Sequence, residues 1–335
     1  MSDINFEKPD QPEVLVELKN LRTHFFTDMG VAKSVDGISY SVRKGETLGV
    51  VGESGCGKSV TALSIMGLIP QPPGKIVGGE IIFDGKDLTK FSQEDLRKIR
   101  GKDVAMIFQE PMTSLNPVYT VGDQIMEMIL NHEDVTEEEA RKRAIGLLEE
   151  VGIPSPEKRV DEYPHQMSGG MRQRVMIAIS LACSPSLLIA DEPTTALDVT
   201  IQAQILELLN KLQRERGTAI IMITHDLGVV AETCDHVVVM YAGKIAEKAD
   251  VVSLFNSPKH PYTNALFKSI PDLAGDGNRL YTIKGMVPSA YDFPEGCRFR
   301  DRCEFATDAC TTQPEEEEVS AGHFVACHNW RSIQS

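Results

Sequence analysis

The hydrophobic pattern alternates between short apolar runs and segments with helical spacing. Leu48–Val51 is a short apolar run that leads into a glycine-rich turn, and Thr61–Leu68 continues as a segment compatible with a helix. Several other runs are continuously apolar, as expected for strands that are covered on both faces of a sheet. The pattern predicts an α/β fold whose sheet is at least partly parallel. The other predicted strands are Glu80–Asp84, Val104–Phe108, Leu187–Ala190, Ala219–Thr224 and His236–Tyr241.

Two further segments carry the spacing of amphipathic helices. Apolar residues recur at helical intervals from Glu137 to Val151, and Thr136 precedes them as the predicted N-cap. A second helix is predicted from the apolar residues that begin at Ile201, and Gly217 ends it. Residues 111–182 are mostly helical in pattern, with no clear strand. This stretch predicts a helical lobe inserted between two strands of the sheet.

The sequence pattern changes after about Lys248. Prolines and glycines recur between residues 258 and 296 and interrupt every long hydrophobic period. We therefore expect a main domain over residues 1–250 and a small, loop-rich C-terminal region over residues 251–335.

Composition and charge exclude several classes of protein. The chain has 335 residues, with 34 basic and 49 acidic side chains and a formal net charge of −15, which disfavours nonspecific binding to nucleic acid. The longest uncharged run, Val175–Ala190, is shorter than the ~20 apolar residues of a membrane-spanning helix. The first 17 residues contain no basic segment followed by an apolar one. We therefore expect a cytoplasmic protein.

A phosphate-binding loop follows the apolar run Leu48–Val51. The sequence fits GxxxxGK[ST], in which glycines let backbone N–H groups turn towards phosphate oxygens at a helix N-terminus. Lys58 is predicted to reach the β- and γ-phosphates, and the Ser59 hydroxyl is predicted to ligate Mg²⁺. The predicted nucleotide-binding residues of this loop are Gly52, Glu53, Ser54, Gly55, Cys56, Gly57, Lys58 and Ser59.

A nucleotide site also needs a carboxylate for Mg²⁺ at the end of a neighbouring buried strand. Asp191 ends the apolar run Leu187–Ala190, and Glu192 follows it. Asp191 is therefore the predicted Mg²⁺ ligand, and Glu192 is the candidate base for the attacking water.

Further motifs stand around these residues, and the whole set resembles that of ABC-type ATPases. Ser168-Gly-Gly-Met-Arg-Gln173 is similar to the signature motif of that family, although Met167 and Met171 replace the usual leucine and glutamine of LSGGQ. The other matching positions are Gln109 of the Q-loop, Ala196-Leu-Asp198 of the D-loop, the switch histidine His225, and Phe25 as the aromatic residue that stacks on adenine.

The resemblance implies ATP hydrolysis between two cassettes that close head to tail. Ser168, Gly169 and Gly170 would then cap the ATP that is bound to the other cassette's phosphate loop. Gln109 would contact Mg²⁺ and the attacking water. His225 would contact the γ-phosphate and orient the same water.

Motifs in the C-terminal region narrow the resemblance to one subgroup of these ATPases. His260-Pro-Tyr-Thr263, and the block from Val287 to Cys297 that leads into Arg302-Cys303, resemble the ATPase subunits of dipeptide and oligopeptide importers. That family implies a peripheral subunit on the cytoplasmic face of the membrane, with two transmembrane permeases, a second ABC ATPase and an extracytoplasmic binding protein as partners. Its members also include importers of nickel and glutathione, so the solute stays open.

Four of the seven cysteines lie close together near the C-terminus, at Cys297, Cys303, Cys310 and Cys327. Four thiolates suit Zn²⁺ or an iron–sulfur cluster, and the lack of a tight C-x₂₋₄-C pair favours [4Fe–4S]. The importer resemblance implies the same cluster. Zinc, four reduced thiols, and substitution by His323 or His328 are the alternatives.

Two other functions compete with the importer prediction. A soluble ABC ATPase of DNA repair or translation would be expected to show two cassettes, long coiled coils or a basic surface, and this sequence shows none of these. A regulatory module that binds ATP without hydrolysing it is disfavoured by the presence of Glu192 and His225.

Overall fold

The computed structural model describes residues 13–109, 114–195, 198–269 and 282–333. In chain order the strands are β1 (Val14–Thr27), β2 (Gly30–Arg43), β3 (Thr47–Val51), β4 (Gly74–Phe83), β5 (Lys86–Asp87), β6 (Val104–Ile107), β7 (Leu187–Asp191), β8 (Ala219–Ile223), β9 (His236–Tyr241), β10 (Lys244–Asp250), β11 (Glu317–Ser320) and β12 (His323–Val325). The helices are α1 (Lys58–Ile65), α2 (Gln93–Ile99), α3 (Val121–His132), α4 (Glu137–Glu150), α5 (Pro156–Arg159), α6 (Gly169–Leu181), α7 (Val199–Arg216), α8 (Leu227–Thr233), α9 (Val251–Asn256) and α10 (Pro261–Lys268).

The larger of two sheets has eight strands in the order β11-β12-β10-β9-β3-β8-β7-β6. Strands β9, β3, β8, β7 and β6 are mutually parallel, whereas β10, β12 and β11 are antiparallel to their neighbours. Every residue of β3, β6, β7 and β8 is buried, and apart from Thr47 and Asp191 at two strand ends their sequences are apolar, as burial on both faces requires. The prediction of an α/β fold with a partly parallel sheet is confirmed.

The strand order brings four loops to one edge of this sheet. Strands β3, β8, β7 and β6 are consecutive neighbours, and parallel strands end at the same edge. The loops after these four strands therefore lie side by side. In open parallel sheets this edge is the usual position of a ligand site.

Local signals set the ends of the long helices. Thr136 and Glu139 form a capping box at the start of α4, so that two unpaired backbone N–H groups are satisfied. Gly217 adopts a φ of 65° and ends α7. The N-cap at Thr136 and the helix end at Gly217 are as the sequence predicts, whereas the part of Glu139 in the capping box was not predicted.

Between β6 and β7, described residues 114–182 include the α-helices α3 to α6, a short 3₁₀ helix at Pro164–Gln166 and no strand. Ile129 of α3, Leu148 of α4 and Val175 of α6 are fully buried and share one hydrophobic core with Ile107 of β6 and Leu188 of β7. These helices therefore pack on the sheet through a continuous apolar interior.

Six strands were not predicted from the sequence, and the shortest of them is the two-residue β5. Strands β1 and β2 pair over 14 residues each, and register shifts interrupt their apolar alternation, including one beside Asn20 at a φ of 49°. Strand β10 mixes charged and apolar residues, and the hairpin β11–β12 is short. This hairpin pairs with β10 and continues the large sheet, so the C-terminal region contributes two strands to that sheet.

Candidate nucleotide-binding site

The predicted phosphate loop runs from the end of β3 to the start of α1, and glycines are required at two of its positions. Gly52 has a φ of 148°, and a Cβ atom there would lie 2.1 Å from the Met240 carbonyl oxygen. Gly57 has a φ of 107°, and its Cβ would lie 2.4 Å from the Ser34 carbonyl oxygen. Larger residues would push the loop away from β9 and β2.

The Lys58 side chain lies across the first residues of the loop. Its Nζ donates hydrogen bonds to the carbonyl oxygens of Gly52, at 2.6 Å, and Glu53, at 3.3 Å, and the residue is 7% exposed. Cys56 is fully buried beneath the loop. Its burial raises the pKa of the thiol, against the opposing charge of Lys58, so Cys56 is a packing residue.

Asp191 supplies a buried carboxylate at the end of β7. Burial raises its pKa, a hydrogen bond from Ser59 acts in the opposite direction, and the charge of Glu192 raises it further. Its Oδ1 is buried and has no hydrogen-bond partner among the described residues. A carboxylate oxygen left without a donor, next to a serine hydroxyl, fits the all-oxygen coordination that Mg²⁺ prefers.

The carboxylate of Glu192 joins side chains from three loops. Its Oε2 accepts hydrogen bonds from Gln109 Nε2 and Thr195 Oγ1, both at 2.9 Å, and its Oε1 lies 3.4 Å from His225 Nδ1. Its backbone N–H donates to the Ile223 carbonyl oxygen at 2.8 Å. The structure thus brings together the predicted residues Gln109, Glu192 and His225.

Burial raises the pKa of Glu192, but hydrogen bonds from Thr195 and His225 outweigh it, and the net pKa is below its ordinary value. The group is therefore ionised at neutral pH and can accept a proton from a bound water. Sequence reasoning missed Thr195. Its position could have indicated a contact with Glu192, because Thr195 lies three residues later, in the turn that follows β7.

The signature residues form the N-terminus of α6. Ser168 is the N-cap, and its hydroxyl accepts a hydrogen bond from the Met171 N–H at 3.4 Å. The Cβ position of Gly169 has no atom within 4 Å, whereas that of Gly170 lies 3.2 Å from Ile201. Met167 is buried in the core, which accounts for an apolar residue at the position of the usual leucine.

The other predicted nucleotide contacts lie on β1 and in the loop before α7. Phe25 is half-buried on β1, beside Gly74 of β4, and the neighbouring Phe26 is half-exposed. Asp198 caps α7, and its Oδ1 accepts from the Ile201 N–H at 3.0 Å. Ala196 and Leu197 lie outside the described residues.

The four C-terminal cysteines are free thiols. Burial raises the pKa of Cys303 to about 11 and that of Cys327 to about 12, and the charges of the other cysteines of the set add to both shifts. The four sulfurs therefore lie within electrostatic reach of one another. Within the described ranges, however, no group of three or more His, Cys, Asp or Glu side chains is placed to hold a metal ion.

The two histidines considered as alternative ligands have other partners. His323 is buried, and its Nε2 lies 2.7 Å from Oε1 of the buried Glu247. His328 Nε2 lies 3.1 Å from the Thr312 carbonyl oxygen. Neither ring is directed to the cysteines by these contacts.

Two family models match the chain. The ABC transporter model matches residues 35–195, and the C-terminal region of oligopeptide/dipeptide transporters matches residues 246–310. The oligopeptide transport ATP-binding protein AppD of Bacillus subtilis is 54% identical over 93% of this chain and 96% of its own length. The chain belongs to the ABC transporter ATP-binding proteins. The dipeptide transport ATP-binding protein DppD of Escherichia coli is 51% identical over 94% of this chain and 96% of its own length.

Solved structures agree with this assignment. The ATP-binding cassette MJ0796, in a dimeric post-hydrolysis state bound to ADP and Pi, has a TM-score of 0.64 and 28% identity, and it covers 71% of this chain. CbiO1 of Clostridium perfringens, part of the ABC transporter complex cbiONQ, has a TM-score of 0.61 and 30% identity over 73% of this chain. The protein is an ABC-type ATPase. In the described part of the chain, every helix is too short or too polar to cross a bilayer.

Proposed function

We propose that this chain hydrolyses ATP to drive the import of dipeptides or oligopeptides through partner permeases. The proposal rests on one observation. The phosphate loop and Asp191 lie at the same edge of the sheet as the group formed by Gln109, Glu192 and His225. The transported class is supported by the match to the C-terminal region of oligopeptide/dipeptide transporters and by the names of the relatives.

We assign the residues as follows. Backbone N–H groups of Gly52–Gly57 and the Lys58 ammonium bind the phosphates. Ser59 and Asp191 would hold Mg²⁺, with Gln109 beside them, and the ion would supply charge stabilisation to the γ-phosphoryl group. Glu192 accepts the proton of the attacking water, and His225 orients that water.

A second cassette completes the proposed site. Ser168 and Gly169 are exposed at the N-terminus of α6, where backbone N–H groups and the helix dipole favour an anion. They cap the γ-phosphate of ATP on the partner cassette, which is a related chain in a heterodimer. Phe25 stacks on the adenine of this chain's own nucleotide.

We place the permeases in a groove of about 790 Å³ beside the end of β6. Its floor is apolar and includes Phe108, which is 37% exposed and directly precedes Gln109. Its lining carries four Lys or Arg side chains against one acidic residue, Glu94, which pairs with Lys98, so the net charge is positive and the proposed occupant is a permease segment with acidic side chains. Movement of that segment reaches the ATPase site through Phe108 and Gln109. The basic rim residues are Arg97, Lys98, Arg100 and Lys102.

Mild solubilisation of native membranes that contain the tagged chain is expected to recover two permeases, a second ATPase and an extracytoplasmic peptide-binding protein. Reversal of two rim charges, Arg97→Glu with Lys102→Glu, is expected to lower permease recovery by about tenfold or more, because like charges replace complementary ones. Quantitative mass spectrometry measures the recovery. Lys211→Glu with Arg214→Glu, two exposed residues of α7, is the matched control because it reverses the same two residue types. Recovery of the wild-type chain alone, or with nucleic acid, would contradict the importer proposal.

We further propose that the chain comprises a cassette over residues 1–250, with the helical lobe over about 111–182, and a C-terminal region over 251–335. The chain acts at the cytoplasmic face of the membrane as a peripheral subunit. Support comes from the two family models, which match separate stretches of the chain, residues 35–195 and residues 246–310.

We propose a [4Fe–4S] centre at Cys297, Cys303, Cys310 and Cys327, with zinc as the alternative. The number, spacing and mutual electrostatic influence of these thiols support it, although their placement is not that of a formed ligand set. Anaerobically purified protein is expected to contain iron and labile sulfide and to absorb at about 400 nm. Substitution of Cys303 by serine is expected to remove the iron, whereas Cys183→Ser leaves it. Stoichiometric zinc, or no metal at all, would overturn the cluster.

A further inference from the structure

Glu53, the second residue of the phosphate loop, is held by two residues of the C-terminal region. The Glu53 N–H donates to the Tyr262 hydroxyl at 2.8 Å. The Arg302 guanidinium donates to both carboxylate oxygens of Glu53, from Nη1 at 2.7 Å and from Nη2 at 3.0 Å. A two-point contact of this kind fixes the orientation of the carboxylate as well as its position.

Arg302 is itself held in place. Its side chain is 6% exposed, its Nε donates to the Lys284 carbonyl oxygen at 2.9 Å, and Nη1 lies 3.3 Å from the Tyr241 hydroxyl. The guanidinium also lies over the rings of Tyr241 and Phe299, at 5.7 and 5.9 Å from their centres. The arginine therefore holds Glu53 from a rigid, desolvated position.

Tyr262 has a comparable support. It is fully buried, packs on Tyr241 and Phe299, and donates its backbone N–H to His260 Nδ1 at 3.0 Å. The His260 N–H in turn donates to the buried carboxylate of Glu247 at 2.9 Å. The hydroxyl that meets Glu53 is thus fixed by a buried network at the start of α10.

Glu53 connects the C-terminal region to Lys58, the residue that is predicted to bind phosphate. Its carbonyl oxygen accepts a hydrogen bond from Lys58 Nζ, so the lysine and Arg302 contact the same residue from opposite ends. The carboxylate of Glu53 stands next to the loop that binds a polyanion. Without a cation on it, that carboxylate would repel the triphosphate.

We propose that Arg302 is a positioning residue for ATP binding, which acts through Glu53 with the help of Tyr262. It holds the first turn of the phosphate loop and neutralises the one carboxylate in the loop sequence. The C-terminal region therefore supplies residues that position the phosphate loop for nucleotide binding. The inference rests on the proposed role of this loop in binding ATP.

The test compares ATP turnover of arginine variants of the full chain. Arg302→Ala is expected to raise KM for ATP about tenfold while kcat changes less than about threefold, because the lost contact serves binding and touches no reacting atom. Arg302→Lys keeps the positive charge but cannot donate two parallel hydrogen bonds to the carboxylate. It is expected to recover about half of the change in log KM. Arg300→Ala, in the same segment but bonded to the Glu295 carbonyl oxygen and Asp301, is the control and is expected to keep KM within about twofold.

A double substitution separates charge neutralisation from general destabilisation. Adding Glu53→Gln to Arg302→Ala removes the unpaired carboxylate and is expected to lower KM again by about threefold or more. The midpoint of thermal unfolding of each variant is measured alongside. A KM within twofold of wild type for Arg302→Ala, an equal rise for Arg300→Ala, or no recovery in the double variant would overturn the inference. A wild-type chain that neither binds nor hydrolyses ATP would overturn the proposed function itself.

Discussion

Replacement of Glu192 by glutamine is expected to lower kcat for ATP hydrolysis by about 10²- to 10⁴-fold, with little change in ATP affinity. Glutamine has the same size and keeps one side-chain oxygen, which can still accept the hydrogen bonds that Gln109 and Thr195 donate to Glu192. The variant loses the negative charge of the carboxylate and with it the ability to take a proton. ATP is then bound and held without being cleaved.

Single-turnover hydrolysis and calorimetric ATP binding measure the two effects separately. Glu157→Gln, an exposed substitution on α5, controls for loss of one negative charge. If Glu192→Gln turned over ATP at a rate near that of the wild type, Glu192 would not be the base. If it lost ATP binding, the carboxylate would be part of the binding site, and its proposed role would be wrong.

The parts of the fold that were predicted correctly have local causes. The strand before the phosphate loop, the glycines of the loop and the helix that follows lie within 20 residues, and each has its own sequence signal. Thr136 and Gly217 likewise mark helix ends through neighbouring backbone groups. Local rules are sufficient where the stabilising partners are close in sequence.

The parts that were missed depend on distant partners. Strands β1 and β2 pair through several register shifts, so the alternation that identifies a strand is broken. The contact of Arg302 with Glu53 joins residues 249 positions apart, and a basic residue in a charged segment predicts only a solvated side chain. The same limit applies to Thr195, whose role is visible only once its distance to Glu192 is known.

The candidate site could be predicted because its residues follow parallel strands. Gln109, Glu192 and His225 come from three different loops, and each stands one or two residues after the end of a strand. Once β6, β7 and β8 are neighbours in one parallel sheet, those loops meet. The order of the strands was not predicted. The family resemblance indicated that these motifs form one site, which the hydrophobic pattern alone could not predict.

Replacement of Asp191 by asparagine is expected to separate function from stability. Burial raises the pKa of Asp191, so its ionised form is disfavoured in the folded chain and opposes folding at pH values above that raised pKa. A neutral side chain of the same shape removes this cost. The nucleotide-free variant is therefore expected to unfold at the wild-type temperature or up to about 3 °C above it. Its hydrolysis of ATP with Mg²⁺ is expected to fall by about 10²-fold or more, because a ligand of the cation is lost.

Thermal unfolding with and without Mg²⁺ and ATP tests both halves of this expectation. The wild-type chain is expected to be stabilised by the pair, and Asp191→Asn is expected to lose most of that added stability, since only binding to the folded state produces it. Asp161→Asn, which removes an exposed partner of Arg141, is the control. A variant that unfolds several degrees lower without nucleotide would make Asp191 a structural residue. Wild-type turnover would exclude it as a ligand. The expected combination identifies Asp191 as a residue whose buried charge opposes folding and serves the reaction.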